Sequence, residues 1–95
     1  MKQPRAYFEF WLKGNNRFEM HHSIRTHDPT ISGERMEKGA LIGGDLSTIK
    51  NRLLEKLEIS EGREATCKFA DNFPQEVKAH LLTIIQNYND ARARR

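Results

Sequence analysis

The chain is poor in the residues that announce a specific chemistry. Of 95 residues one is cysteine, Cys67. A single cysteine excludes an internal disulfide and a thiolate zinc cluster. In a strand-like setting it reads as a small buried hydrophobe. No apolar run nears the length of a membrane span, and the N-terminal MKQPRAYF lacks the apolar stretch of a signal peptide. A cytosolic setting without membrane attachment is the expectation. Charge of one sign is not in large excess: the net charge is +3, with Lys and Arg spread along the chain except in the final ARARR. That balance permits nucleic-acid contact without demanding it. No internal repeat or low-complexity segment appears.

Hydrophobic residues make up 37% of the chain and charged residues 31%, enough for one modest core in a single domain. The clearest structural signal is Arg5–Arg25, RAYFEFWLKGNNRFEMHHSIR. Two runs of aromatic and β-prone residues flank Gly14-Asn15-Asn16, residues that tolerate positive φ. Alternation puts Ala6, Phe8, Phe10 and Leu12 on one face, matched by Phe18, Met20, His22 and Ile24. A two-residue Asn15-Asn16 turn would set Leu12 against Glu19. A three-residue loop, Gly14–Asn16, sets Leu12 against Phe18, Phe10 against Met20, Phe8 against His22 and Ala6 against Ile24. The three-residue loop keeps one face apolar, so it is the predicted register. The other face then carries Tyr7, Glu9, Trp11 and Lys13 against Ser23, His21, Glu19 and Arg17. A large aromatic pair among charges is unusual on a half-solvated face, and Trp, Tyr and Arg are typical binding anchors.

Met1–Pro4 reads as a flexible lead-in. Residues 26–44 read as a long glycine-containing connection, in which Lys38–Ile42 is either a short third strand or a loop packed on the core. Asp45 is the expected N-cap of a helix with a Leu46, Ile49, Leu53, Leu57 stripe and Leu54 beside it. Lys50, Arg52, Glu55 and Lys56 fall on its solvated side, and Gly62 marks the stop. Arg63–Ala70 alternates as a strand. Asn72 with Gln75 suggests a capping box for a second helix bearing Val77, Leu81, Ile84, Ile85 and Tyr88. Residues 91–95 form a basic end. The predicted fold is a small two-layer α+β sandwich: a β-hairpin followed by (β)-α-β-α, mostly antiparallel, with two amphipathic helices on one face.

This element order resembles the first part of an RNase H-like fold, a three-strand meander followed by α, β and α, and the degenerate version found in small antitoxins. The resemblance lies in element order and covers no motif. Nucleases of that fold need several acidic metal ligands, one on the first strand, where Glu9 is the only acidic residue.

His21, His22 and His27 cluster in sequence, but adjacent strand histidines point to opposite faces, so no metal is assigned. Gly39, Gly43 and Gly44 precede a helix without matching either glycine-rich phosphate fingerprint. No catalytic residue and no cofactor is assigned. A small nuclease centred on Glu9, His21 and Arg25 ranks third among the readings. The leading expectation is a non-enzymatic protein-binding module using Tyr7, Trp11, Arg17, Glu19 and His21, with Trp11 as anchor. Motif-poor proteins of this size are common in phage and mobile elements, where many inhibit a larger host complex. The alternative is an RNA- or DNA-binding domain on the same face, with Lys13, Arg25, Arg92, Arg94 and Arg95 at phosphates. A homodimer is compatible with each.

Overall fold

The structure is a computed structural model and describes residues 5–28 and 33–94. Six elements follow in order: β1 (Arg5–Gly14), β2 (Arg17–Asp28), β3 (Gly33–Gly44), α1 (Leu46–Glu58), β4 (Glu64–Phe69) and α2 (Gln75–Ala93). The strands form one sheet in the order β3-β2-β1-β4. β1 with β2 and β2 with β3 are antiparallel, whereas β4 runs parallel to β1. The β3-to-β4 connection crosses the sheet through α1, as a parallel pairing requires. The α+β class, the element order and the two helices on the sheet agree with the sequence reading.

The helices cover the face that alternation marked as apolar. Phe8, Phe10, Phe18, Met20 and Ile24 are fully or almost fully buried against Ile49 and Leu53 of α1 and Leu81 and Ile85 of α2. Burying each such side chain contributes about 1.5–3 kcal/mol, so this face fixes the register. The observed pairs are Leu12 with Phe18, Phe10 with Met20, Phe8 with His22 and Ala6 with Ile24. The turn that produces them is not the three-residue loop. Gly14 pairs with Arg17 across Asn15-Asn16, and Lys13 is the extra residue of a β-bulge. Asn16 takes the left-handed conformation, φ 53°. The short turn and the apolar register are reconciled by the bulge, which offsets β1 by one residue.

Three further expectations are corrected. Residues 26–44 are not one long connection: β2 continues to Asp28, and the third-strand alternative holds, with Gly33–Gly44 longer than the expected Lys38–Ile42 and paired with β2. Its core-facing positions include Glu37 and Gly39, so the apolar alternation that marks a strand is absent. Gly39 is required by the neighbouring strand, because a Cβ there would meet His22 Cε1 at 2.7 Å. Gly43 has φ +81° where β3 bulges against β2. On α1, Lys56 is buried and Leu54 is 49% exposed, because Lys56 reaches Glu37 on β3. Asn72 does not cap α2: the cap position is Pro74, with no side-chain bond. Phe73 instead anchors that entry, its ring tilted against those of Phe10, Phe18 and Phe69. The Asp45 cap is present, its carboxylate accepting from the Thr48 N–H at 2.9 Å. Cys67 is half-buried on the core side, and burial raises its thiol pKa.

Candidate functional site

With both helices on one side, the other side of the sheet carries Tyr7, Glu9 and Trp11 of β1 beside Glu19, His21 and Ser23 of β2. β3 extends it, setting Ala40 next to His21 and Lys38 next to Ser23. None of the described helices covers this surface. Trp11 is 46% exposed and Ile42 is 68% exposed.

Two carboxylates organise the face. Glu9 accepts from the Tyr7 hydroxyl at 2.8 Å through one oxygen and from the Trp11 indole N–H at 3.3 Å through the other. The carboxylate beside Tyr7 pushes that phenol above its ordinary pKa. Glu19 sits directly across from Trp11. Lys13 Nζ lies 3.3 Å from one of its oxygens, and His21 Nε2 bonds the other. Only 9% of Glu19 is exposed. The His21 bond, helped by Lys13 and opposed by burial, holds its carboxyl below the usual range. The aromatic edges and the acids are thus mutually satisfied, which fixes side-chain positions.

The structure brings Tyr7, Trp11, Glu19 and His21 together, as expected. Arg17 stands at the hairpin end of the same face, and its guanidinium donates to the Gly43 carbonyl at 3.0 Å. Glu9 and His21 are direct cross-strand neighbours, yet His21 bonds Glu19 rather than Glu9. Of the expected phosphate contacts, Lys13 is paired with Glu19, and Arg25 is exposed farther along β2. Arg92 belongs to the helix layer, where its Nε donates to the Gly62 carbonyl at 2.7 Å. Arg94 caps the exposed end of α2. Arg95 and the side chain of His27 lie outside the described residues. The contributions sequence reasoning missed are Ile42 and Met36, both on β3 and both exposed. The even-numbered alternation Met36, Lys38, Ala40, Ile42 was their only signal.

A family-model scan, a search of curated proteins and a search of solved structures each find no match. Among the described residues, no group of three or more His, Cys, Asp or Glu is placed to hold a metal ion, and no helix is long and apolar enough to cross a membrane.

Two other features lie on the helix side. A groove of about 750 Å³ between α1 and α2 is walled by Leu54, Leu57, Ile84 and Tyr88. Two of its polar groups are engaged elsewhere: the Tyr88 hydroxyl donates to the Arg63 carbonyl at 2.7 Å and Arg92 holds Gly62. Beneath β3, Glu37 Oε1 accepts from Lys56 Nζ at 2.7 Å and from His22 Nε2 at 3.1 Å. His22 Nδ1 is buried without a partner. Burial, the dominant effect, pulls the His22 pKa below its ordinary value. This cluster ties β2, β3 and α1 together and lies within the layered core.

Proposed function

We propose that the chain is a non-enzymatic protein-binding module whose contact surface is the outward sheet face, with Trp11 as its central anchor and Tyr7, His21 and Ile42 around it. The observation that carries this reading is the half-exposed Trp11 ring on a face no described helix covers, its indole N–H already bonded to Glu9. A fixed, partly desolvated aromatic loses little freedom on binding and buries a large area, the combination found at interface hot spots. The partner chemistry it fits is an apolar recess bordered by polar groups. Its mode of action would be occlusion, a domain of 11.1 kDa covering a patch on a larger assembly.

The test is affinity capture from lysate, with and without nuclease, followed by mass spectrometry and repeated with Trp11→Ala. Retention of a defined protein that survives nuclease and is lost from W11A supports the reading. Retention of nucleic acid, with a steep fall in affinity as salt rises, would replace it with the phosphate-binding alternative.

A further inference from the structure

We propose that β3 is a docking edge for an extended segment of a partner protein, which adds along residues 36–42 as an antiparallel strand and brings an acidic side chain opposite Lys38. Such pairing uses the β3 backbone and Lys38 and does not require the indole, so it goes beyond the contact surface around Trp11.

The open edge follows from the backbone. The Ala70 N–H donates to the Phe10 carbonyl at 3.0 Å, so even-numbered groups of β1 face β4 and odd-numbered ones face β2. Carried through the observed registers, the alternation turns even-numbered groups of β2 toward β3 and odd-numbered groups of β3 toward β2. β3 is a terminal strand, so the N–H and C=O of Met36, Lys38 and Ala40 point away from the sheet. The other terminal strand is closed at the matching place: the outward N–H and C=O of Ala65 on β4 are both bonded by the Asn89 side chain. A strand laid along β3 continues the ladder. In recognition of this kind the main-chain bonds supply affinity and alternate side chains supply specificity.

The alternate side chains state what that segment must carry. Met36, Lys38, Ala40 and Ile42 share the outward face of β3, and residues directly opposite one another on a face interact. Met36 is 41% and Ile42 68% exposed, so an apolar side chain opposite each covers surface that the chain leaves bare. The small Ala40 leaves room for a larger side chain across from it. The Lys38 ammonium is exposed and meets no carboxylate among the described residues, which calls for Asp or Glu opposite. The fitting segment is therefore apolar at both ends, with its acid next on the same face to the end that meets Met36.

A second copy of this chain does not meet that requirement. The outward groups are even-numbered, so even positions would pair with even positions. Two-fold axes through Glu37, Lys38, Gly39 and Ala40 set Lys38 opposite Met36, Lys38, Ala40 and Ile42 in turn, and none of these is an acid. A lysine on an exposed edge is one way a sheet deters pairing with copies of itself. The same charge favours a foreign strand that brings the opposite sign.

Amide hydrogen exchange read by NMR tests this, with the synthetic peptide acetyl-Val-Thr-Tyr-Thr-Glu-Thr-Val-amide and a counterpart carrying Lys in place of Glu. In the free protein the Met36, Lys38 and Ala40 amides should exchange fast beside protected Glu37, Gly39 and Leu41. Excess acidic peptide should slow those three by about tenfold or more, and the lysine peptide far less. Lys38→Glu should reverse the order of the two peptides. Ala40→Pro removes an outward N–H where an edge strand tolerates proline, and it should abolish the slowing. If Ala40→Pro fails to fold, the charge reversal at Lys38 decides. Slow exchange of the three amides in dilute free protein, their protection by raised protein concentration alone, no slowing by the acidic peptide, or slowing indifferent to Lys38→Glu would overturn the proposal. Such a failure would leave the Trp11 reading standing, because partner capture and its loss in W11A are scored without β3.

Discussion

The side chain of Asn89 on α2 holds Ala65 on β4 by two bonds, accepting from its N–H and donating to its C=O, each at 2.9 Å. A helix carboxamide thus occupies the place of a neighbouring strand. Replacing it with Ala leaves the Ala65 groups short of partners, at about 1–3 kcal/mol. Asn89→Asp keeps the acceptor but turns an oxygen toward the Ala65 carbonyl. Asp is therefore expected to be at least as damaging as Ala, a ranking read from urea midpoints of the two variants.

Gly39 and His22 form the second tight relationship. A methyl at position 39 would press on the buried imidazole at 2.7 Å, and the ring has little room because His22 is only 5% exposed. Gly39→Ala should destabilise by about 1–3 kcal/mol. Introduced on His22→Ala, the same change should cost clearly less. Equal costs in the two backgrounds would show that the strain is not at the ring.

Stability should decline on acidification in two stages. Burial keeps His22 below its ordinary 6.5, with Glu37 from β3 opposing burial and Lys56 and Arg52 from α1 reinforcing it. The unfolded chain therefore takes up this proton first. The contribution of a neutral His22 is complete above about pH 6.5 and is lost as pH falls from there toward the folded-state pKa. Glu37 is held below its ordinary 4.5, chiefly by Lys56. Its contribution is present above about 4.5 and disappears at lower pH, as the folded-state pKa is crossed. Denaturant titrations from neutral to acid pH check this; His22→Gln should remove the upper stage and leave the lower one.

Trp11→Ala should leave the fold intact, with a change of about 1 kcal/mol or less, since the ring is not part of the buried core. Partner affinity should nonetheless fall by about 2 kcal/mol or more, the range of an interface anchor. Glu9→Gln is the subtler variant. It keeps Trp11 but replaces the charged acceptor that holds Tyr7 and Trp11, and a smaller loss of affinity is expected. Thermal melting and calorimetric titration against the captured partner separate the two effects.

The hairpin was legible because its core-facing residues from Phe8 to Ile24 are large and, His22 apart, apolar, so only one register buries them. The α1 cap was legible because Asp45 acts locally, on Thr48 three residues on. β3 was not. Its core-side positions hold a glutamate and a glycine whose places are set by Lys56 on α1 and His22 on β2, and neither relation leaves a local pattern. Phe73 escaped for a similar reason, since an aromatic between strand and helix gains its role largely from Phe10 and Phe18 on the distant hairpin. At the candidate site the β1/β2 half could be read by alternation. The Ile42 half depended on β3, and the exchange of partners that gives His21 to Glu19 depended on side-chain geometry.

The pairing of Glu9 and Glu19 with donors on their own face has a kinetic consequence. Glu19 is offset by Lys13, and Glu9 lies beside Lys68 of β4 in register, so acids and bases alternate around Trp11 and the surface projects little net field there. A protein arriving there gains little from long-range steering. Encounter should proceed at the unassisted rate for orienting two patches, about 10⁵–10⁶ M⁻¹s⁻¹, and should change little with ionic strength. Discrimination between partners would then reside in residence time: how long the indole stays in its recess decides which complexes persist.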